Sequence, residues 1–399
     1  MSTGLRIRIL PAIGDIPAAA WDSCANPAAH PGSSETPFNP FISHDFLSSL
    51  EISSSATART GWQPQHLAVE DAEGNVLGVA PCYLKSHSRG EYVFDRGWAE
   101  AYERAGGDYY PKLQVSVPFT PATGRRLLAA PGDRRDEVEA ALAQGLVELC
   151  RLREASSVHV TFMPEREWEI CAARGFLKRN DQQFHWVNAG GYASFDDFVA
   201  ALAARKRKAI KRERREAVQN GIAIEWLTGS DLTESVWDAF FAFYIETGSR
   251  KWGRPYLTRD FFSLVSEKMA DRILLVMAKR AGRYVAGAIN FIGSETLFGR
   301  HWGAVEHHPF LHFELCYYQA IDFAIAKKLP RVEAGAQGEH KLARGYLPVT
   351  TYSAHYIADP ALRRAIDDYL VRERAYVEAA GRELGGMSPF RKDFAAEDA

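Results

Sequence analysis

The sequence predicts a mixed α/β fold with a mixed sheet, built as two similar domains in tandem and followed by a C-terminal helix. At 399 residues the chain is too long for one ordinary hydrophobic core. Its 46% content of hydrophobic residues is enough to fill two cores. The order helix, helix, hairpin, strand, helix, strand occurs in both halves. We therefore predict domains at residues 1–190 and 191–358 and a helical tail at 359–399.

The first half opens with a strand, because "LRIRIL" alternates apolar and polar residues. The stretch "HLAVEDAEGNVLGVAPCYLKS" contains two apolar runs joined by Glu-Gly-Asn, which is typical of a β-hairpin. A strand, a Pro-Gly turn and a long amphipathic helix follow in "GRRLLAAPGDRRDEVEAALAQGLVELCRLR". The half then continues as strand, helix and strand in "SSVHVTFM", "EREWEICAARGF" and "QQFHWVN".

The second half repeats this order. Small residues and turn formers in "AGGYASFDD" place the joint between the domains near residues 189–196. A strand "GIAIEWL", two helices, a hairpin "RILLVMAKRAGRYVAGAINFIG" and a strand "TLFGRHWGAV" follow. The apolar helix "LHFELCYYQAIDFAIAKKL" then leads into the strand "RVEAGA". The tail is a charged amphipathic helix, expected to pack back on the body.

The composition excludes several classes of protein. The 48 basic and 50 acidic side chains nearly cancel, so any polyanion site must be local. Five dispersed cysteines without a Cys-x-x-Cys pair argue against a zinc site, a redox motif or a disulfide framework. The chain has no apolar signal segment and no long apolar run, which predicts a cytoplasmic protein with no membrane span. We predict neither a tightly bound cofactor nor a metal, and the oligomeric state is not indicated.

A strongly basic helix is predicted at Ala204–Ala217, "ARKRKAIKRERREA". Eight of its residues are Lys or Arg, opposed by Glu213 and Glu216 alone. Such a helix can hold the phosphates of an RNA or of a nucleotide-linked substrate. A solvated helix face is the alternative. The candidate phosphate or RNA contacts are Arg205, Lys206, Lys208, Lys211 and Arg212.

The stretch "GRHWGAVEHHPFLHFELCYYQAI" leads from a strand through a loop into a helix whose N-terminus can attract anions. Its histidines lack the spacing of a metal site. Glu314 lies within an apolar helix, and a buried carboxylate needs a partner. We take His301, His312 and Glu314 as candidate substrate contacts. A satisfied structural hydrogen bond is the alternative.

The stretch "EAGAQGEHKLARGY" carries the densest chemistry, because polar residues follow a strand at the edge of the sheet where open α/β folds bind ligands. Gly335 and Gly338 allow close approach of the backbone. Glu339 or His340 can move a proton. Two cations, Lys341 and Arg344, can hold a phosphate or stabilise developing negative charge. A helix N-cap with solvated charges is the alternative.

At these residues the chain resembles the FemABX-like branch of the GNAT (Gcn5-related N-acetyltransferase) superfamily, within a subgroup of peptidoglycan biosynthesis or recognition proteins. The resemblance covers residues 195–348 and depends on an ordered set of stretches rather than on one motif. They are "RKRKAIKRERREAVQNGIAIEWL", "FFAFYIETGSRKWGRPYLTRDFF", "VAGAINFIGSETLFGRHWGAV" and "EAGAQGEHKLARGYLP".

The resemblance implies two GNAT-like domains, with a transfer site between splayed strands of the second. FemABX transferases move an aminoacyl group from aminoacyl-tRNA onto an amine of a peptidoglycan precursor. Lys341 matches the lysine of their motif after the strand, where it would face the acceptor end of the tRNA. Other GNAT enzymes use acyl-CoA, held by a Q/R-x-x-G-x-G/A loop, and "AVEHHPFLHFE" stands in its place here. The donor is therefore left open between aminoacyl-tRNA and acyl-CoA.

Both donors imply one reaction, the attack of an amine on an activated carbonyl. Proton acceptance is assigned to Glu339 or His340, and phosphate or oxyanion contact to Lys341. The loop "GSRKWGRPY" supplies the acceptor contacts Arg250, Trp252 and Tyr256, unless its aromatic residues cap the core instead. An alternative from another class is a non-catalytic protein with a degenerate GNAT fold that recognises cell-wall fragments or nucleotide sugars.

Overall fold

The computed structural model describes residues 4–27, 36–252, 255–336 and 338–391. The chain forms two compact units. The first unit comprises Met1–Asp181 and Thr350–Ala379, and the second comprises Gln182–Val349 and Ala380–Ala399. Each unit is therefore made of two separate segments of the chain. The domain boundaries predicted from the sequence, at residues 190 and 358, stay predictions.

Residues up to 181 form eight strands, the start of a ninth, and five helices within the described part of the chain. The strands are β1 (Arg6–Leu10), β2 (Trp62–Pro64), β3 (His66–Glu70), β4 (Val76–Ala80), β5 (Cys82–Lys85), β6 (Lys112–Val115), β7 (Leu128–Ala129), β8 (Ser157–Met163) and β9 (Leu177–Val187). The helices are α1 (Ala18–Ala25), α2 (His44–Ile52), α3 (Arg96–Arg104), α4 (Arg135–Leu152) and α5 (Glu165–Ala172).

The remaining elements continue in chain order. The strands are β10 (Ile222–Leu227), β11 (Ile273–Arg280), β12 (Arg283–Ile292), β13 (Thr296–Ala304), β14 (Arg331–Glu333) and β15 (Leu347–Ile357). The helices are α6 (Phe195–Ala201), α7 (Ala204–Ala217), α8 (Glu234–Trp252), α9 (Arg259–Met269), α10 (Leu311–Phe313), α11 (Gln319–Ala326) and α12 (Pro360–Gly386). A π-helical turn, Glu314–Tyr318, joins α10 to α11.

The first unit is built on two runs of hydrogen-bonded strands. One is a four-stranded sheet in the order β1-β3-β4-β7, and the other has the order β15-β8-β6-β5-β2. Alternate residues of β5, β6 and β8 are apolar and enter a core with α4, whose buried stripe includes Leu142 and Leu146. The same unit buries Leu362, Ile366 and Leu370 of α12, so this part of the predicted tail helix packs on the body.

The second unit has the strand order β10-β11-β12-β13-β14-β9. Its strands pair antiparallel except β13 with β14, which run parallel. The helix α11 packs its apolar side chains into a core with these strands and with α6. The short strand β14 ends at Glu333, and the residues that follow it carry the candidate site.

The structure contains elements that the sequence does not predict. Helix α3 and strand β6 lie in a stretch between the predicted hairpin and the predicted strand "RRLLA". Strand β15 follows the candidate site and pairs with β8 from Tyr352 to Ile357. The mixed α/β class itself is confirmed.

Candidate active site

The segment after β14 is shaped by glycines with left-handed backbone. Gly335, Gly338 and Gly345 have φ of 78°, 120° and 91°. A Cβ at Gly345 would lie 2.6 Å from the ring of Phe198, so a side chain has no room there. Between Gly338 and Gly345 the chain forms a single 3₁₀ helix, Glu339–Arg344. The predicted strand-to-helix junction is present, with this tight helix in place of an α-helix.

Lys341 is buried, with 1% of its surface exposed. Its Nζ donates a hydrogen bond of 2.8 Å to the carbonyl oxygen of Gly335, which ties the helix to the preceding loop. Burial lowers the pKa of Lys341 to about 8. The alternative of a solvated charge at this position is therefore wrong, and the amine can gain or lose a proton near neutral pH.

The side chain of His340 is exposed, and two aromatic residues, Tyr317 and Phe313, contact its ring. Its Nε2 lies 2.9 Å from the hydroxyl oxygen of Tyr317, and its ring centre lies 5.6 Å from that of Phe313. If the hydroxyl donates, Nε2 is the acceptor and Nδ1 carries the proton. The side chain of Glu339 lies outside the described part of the structure.

Arg344 is almost fully buried, and its guanidinium group has three kinds of partner. Nη2 donates to Oε2 of Glu213 at 2.9 Å, and Nη1 donates to the carbonyl oxygen of His340 at 2.7 Å. The guanidinium carbon lies 3.5 Å from the ring centre of Phe313. The hydroxyl of Tyr318 donates to the same Glu213 oxygen. These contacts fix the direction of the Arg344 side chain.

A cavity of about 320 Å³ lies beside this network. One wall is a face of α7 and the opposite wall includes the 3₁₀ helix. Three cations and one carboxylate therefore face the same space, which suits an anionic group more than a cationic one. The lining residues are Arg205, Lys206, Ala209, Ile210, Glu213, Tyr318, Ala343 and Arg344.

A family model described as peptidoglycan biosynthesis/recognition, FemAB-like, matches residues 12–392. The chain belongs to the FemAB-like family. A solved structure titled as FemX is similar to it at 12% sequence identity with a TM-score of 0.52, covering 88% of this chain and 98% of that chain. A tandem GNAT protein from the clavulanic acid biosynthesis pathway matches at 15% identity with a TM-score of 0.47, covering 89% and 99%. No curated protein matches the sequence at a significant level.

The family match confirms the predicted FemABX-like resemblance, and it extends over both units rather than over residues 195–348 alone. It supports the predicted role in acyl or aminoacyl transfer within peptidoglycan biosynthesis. In the described ranges no helix is long and apolar enough to cross a membrane. Over the same ranges no cluster of three His, Cys, Asp or Glu side chains could hold a metal ion.

The basic helix of this FemAB-like chain divides into two faces. Arg205 and Lys206 line the cavity, while Lys208, Lys211 and Arg212 do not. Lys211 pairs with Asp196 at 3.1 Å, and both side chains are well exposed. Whether any of these cations contacts phosphate or RNA stays a prediction.

Glu314, one of the predicted substrate contacts, has an ionic partner inside the protein. Arg214 of α7 donates to Glu314 Oε1 at 2.9 Å and to Asp322 at 2.6 Å. Gln319 donates to the same Glu314 oxygen at 2.7 Å. Burial raises the pKa of Glu314, and the Arg214 guanidinium opposes that shift. The geometry is that of a satisfied ion pair which positions α7 against the π-helical turn.

The other predicted contacts lie away from the cavity lining. His301 packs edge-on against Tyr244 at 5.1 Å between ring centres, and burial lowers its pKa to about 3. His312 lies 4.9 Å from the ring of Trp302 and 6.4 Å from that of His340. The backbone N–H of Tyr256 donates to the hydroxyl of Tyr244 at 3.0 Å. The side chains of Arg250 and Trp252 lie outside the described part of the structure.

Sequence reasoning missed Glu213 and Tyr318 as site residues. Glu213 interrupts a run of cations, and it lies four and eight positions beyond Ala209 and Arg205 on one helical face. That spacing is a signal that a carboxylate faces the same side as the pocket cations. Tyr317 contacts His340 and Tyr318 contacts Glu213, and the sequence gives no indication of the π-helical turn that carries both side chains.

Proposed function

We propose that the protein is an aminoacyl- or acyltransferase that moves an activated acyl group onto an amine of a peptidoglycan precursor. The observation that carries the proposal is the cavity in which Arg205, Lys206 and Arg344 converge beside the 3₁₀ helix with His340 and Lys341. Activated acyl donors carry phosphates, and guanidinium groups bind phosphate through two parallel hydrogen bonds. The pocket therefore suits the phosphate end of a donor.

Arg344 is the residue best arranged for that contact. Glu213 and the His340 carbonyl hold its two terminal nitrogens, and buried Arg344 Nε has no hydrogen-bond partner among the described residues. Each terminal nitrogen carries a second N–H, and these are the groups proposed to donate to a phosphate oxygen in the cavity. Lys206 and Arg205 reach the same space from α7, so the donor's phosphate would meet cations from two elements.

The reaction forms one C–N bond and breaks one C–O or C–S bond. The acceptor amine loses a proton as its nitrogen attacks the carbonyl carbon, and the leaving oxygen or sulfur gains one. His340 is the proposed proton acceptor through Nδ1, in the tautomer whose Nε2–H donates to the hydroxyl oxygen of Tyr317. Lys341, whose pKa burial lowers to about 8, is the proposed source of positive charge for the oxyanion and of the proton for the leaving group.

We further propose aminoacyl-tRNA rather than acyl-CoA as the donor. In GNAT-type acyl-CoA sites the pyrophosphate meets free backbone N–H groups at a helix N-terminus. Here that position follows β13, where Glu306 accepts from His308 and Arg280 at 2.9 Å each. The helix that follows is one short α-helical turn and a π-helical turn rather than a regular α-helix. A carboxylate and an irregular helix start both disfavour a bound pyrophosphate.

The test is a transfer assay with the full chain. Purified protein is incubated with tRNA charged with labelled amino acid and with a UDP-linked muramyl pentapeptide, and the acceptor is analysed by mass spectrometry. A parallel reaction contains labelled acetyl-CoA. We expect the label on the acceptor amine with aminoacyl-tRNA. The variant Lys206→Ala is expected to lower the rate, whereas Lys208→Ala, on the same helix but outside the cavity, keeps it.

The outcomes separate the alternatives. Transfer from acetyl-CoA alone would replace the proposed donor but keep the reaction class. Tight binding of the muramyl peptide without transfer from either donor would show that the protein is a recognition module of the family. Equal transfer rates for Lys206→Ala and Lys208→Ala would show that the donor does not bind in the cavity.

A further inference from the structure

One residue that lines the cavity, Glu213 of α7, carries the wrong charge for a site that binds an anion alone. The other charged side chains of the lining are the cations Arg205, Lys206 and Arg344. A carboxylate repels a phosphate, so the cavity would hold an anion more strongly without it. Glu213 therefore needs a role that the three cations do not fill.

The geometry of the helix places this carboxylate on the cavity side of α7. Residues four and seven positions apart share one face of an α-helix, and Glu213 follows Ala209 and Lys206 of the lining by these intervals. Glu216, the other acidic residue of the helix, is absent from the cavity lining. It lies 3.8 Å from the exposed Arg212. Position therefore separates two carboxylates of identical chemistry on one helix.

One oxygen of Glu213 is fully used inside the protein. Oε2 accepts from Nη2 of Arg344 at 2.9 Å and from the hydroxyl of Tyr318. The two donors belong to the 3₁₀ helix and to the π-helical turn, so they hold the carboxylate from elements other than its own. A carboxylate oxygen has two lone-pair positions, and both are occupied at Oε2.

The second oxygen, Glu213 Oε1, is available. Among the described residues, the hydrogen bonds of this carboxylate go to Oε2 alone. Oε1 is also not sealed from solvent, in contrast to the buried Nε of Arg344. An open carboxylate oxygen on the wall of a cavity, in a direction fixed by its neighbour atom, is an acceptor for a bound molecule.

The surrounding charges decide which kind of hydrogen-bond donor suits Oε1. A ligand ammonium would meet the three cations of the cavity at close range, and one carboxylate does not offset them. A hydroxyl carries no charge and avoids this repulsion. The cavity therefore suits a molecule that combines a phosphate, for the cations, with a neutral O–H group, for Glu213.

The size and the apolar part of the cavity narrow the class further. Its volume of about 320 Å³ is at the small end of ligand pockets. Ala209, Ile210 and Ala343 add apolar surface to the lining. A ribose phosphate has the matching parts, since a carbon ring joins its hydroxyls to its phosphate. In dinucleotide-binding folds an acidic side chain likewise accepts from a ribose hydroxyl while other groups bind the phosphate.

We propose that Glu213 Oε1 accepts a hydrogen bond from a ribose hydroxyl of a ribonucleotide whose phosphate meets Arg205, Lys206 and Arg344. The inference rests on the proposed function, which places a phosphate in the cavity, and it names the group bound beside that phosphate. Glu213 then distinguishes ribonucleotides from deoxyribonucleotides. The end of a tRNA donor and the nucleotide of a UDP-linked acceptor share this chemistry.

The first test uses the unaltered full chain and two pairs of probes, with affinities measured by ligand-observed NMR titration. One pair is 5′-AMP and 2′,3′-dideoxy-5′-AMP, and the other is UDP and 2′,3′-dideoxy-UDP. Loss of one hydrogen bond to a charged group predicts about tenfold weaker binding of the dideoxy compound. Discrimination in the adenosine pair assigns the site to the donor, and discrimination in the uridine pair assigns it to the acceptor. Equal affinities within both pairs, or no binding of any probe, would overturn the proposal.

Two variants test the contact itself. Glu213→Ala removes Oε1, and we expect the two members of the discriminating pair to bind equally. Glu216→Ala, the same change on the same helix outside the cavity lining, keeps the tenfold ratio. Because Glu213 also positions Arg344, the first variant lowers both affinities, and only their ratio reports the hydroxyl contact. An unchanged ratio in Glu213→Ala would contradict the assignment. If that variant does not fold, the probe pairs on the unaltered chain decide.

The titrations also separate this inference from the proposed function, because no acyl group is transferred in them. A tenfold ratio in a protein that transfers nothing would keep the ribonucleotide site and reject the proposed reaction. Transfer by a protein that binds both members of each pair equally would keep the reaction and reject the contact with Glu213.

Discussion

Two clusters of charged side chains in this protein hold their cations in different surroundings, one buried and one facing a cavity. One face of β5, β6 and β8 in the first unit is polar but buried, and Lys112 on this polar face is fully enclosed between two carboxylates, Glu91 and Asp95. In the cavity of the second unit, Arg205 and Lys206 stand on the surface of α7 and face open space. The first arrangement depends on internal pairing, and the second keeps its cations available for an external anion. The comparison predicts that equal changes of charge have unequal effects on stability and on binding.

The largest effect is expected from Lys112→Met. Removing the ammonium leaves Glu91 and Asp95 buried without their hydrogen-bonded cation, which costs about 3–5 kcal/mol in the free energy of unfolding. Arg205→Ala, on the exposed face of α7, is expected to change it by less than about 0.5 kcal/mol. Urea denaturation of both variants measures the contrast. Similar losses in both would show that the two clusters do not differ in the way described.

The next effect concerns Arg344, the cavity cation that is also buried. Arg344→Met removes its hydrogen bonds to Glu213 and to the His340 carbonyl and the contact proposed for donor phosphate. Hydrogen bonds to charged groups are each worth about 1.5–3 kcal/mol, so donor affinity should fall roughly ten- to a hundredfold. Titration of aminoacyl-tRNA by fluorescence anisotropy measures this. The matched control is Arg212→Met, an exposed arginine of α7 outside the cavity.

The pH dependence of the transfer rate shows whether the ammonium form or the neutral amine of Lys341 is active. With a pKa of about 8, its ammonium is mostly present below pH 7 and about tenfold depleted at pH 9. If the positive charge is required, kcat/KM falls as pH rises through this range. Lys341→Arg does not titrate there and should lose that falling limb. A rate that rises with pH in the unaltered protein would instead make the neutral amine the active form.

The smallest effect is expected at the exposed cations. Lys206→Ala should reduce the slope of log affinity against log salt concentration by roughly 1, because one phosphate contact is lost. Lys208→Ala, on the same helix but outside the cavity lining, should change the slope less. Equal slopes for the two variants would show that the phosphate does not enter the cavity.

Much of the second unit could be predicted from the sequence, because its signals are local. The basic helix runs from Ala204 to Ala217 as its composition indicates, and the polar residues after β14 do follow a strand. The burial of Lys341 could not be predicted, since it depends on how the 3₁₀ helix folds back on Gly335. The Arg214–Glu314 pair joins residues 100 positions apart, and only its need for a partner was visible in the sequence.

The polar face of the first unit shows why other clusters escape prediction. Lys112, Gln114 and Ser116 alternate with Leu113 and Val115, which is also the pattern of a strand with one wet face. Nothing in that alternation indicates that both faces are buried. The carboxylates that neutralise Lys112 come from the segment 86–111 rather than from the strands. Burial of a polar face is a property of tertiary structure, so periodicity alone does not report it.

The path of the chain through the first unit also sets a condition on its synthesis. Strand β8 takes its antiparallel partner from Tyr352–Ile357, which leaves the ribosome long after β8 does. Until then a nascent first unit presents an open strand edge, the kind of surface on which polypeptides join one another and aggregate. Completion of the first unit therefore waits until the chain has been translated through Ile357, and premature termination before that point would leave the edge exposed.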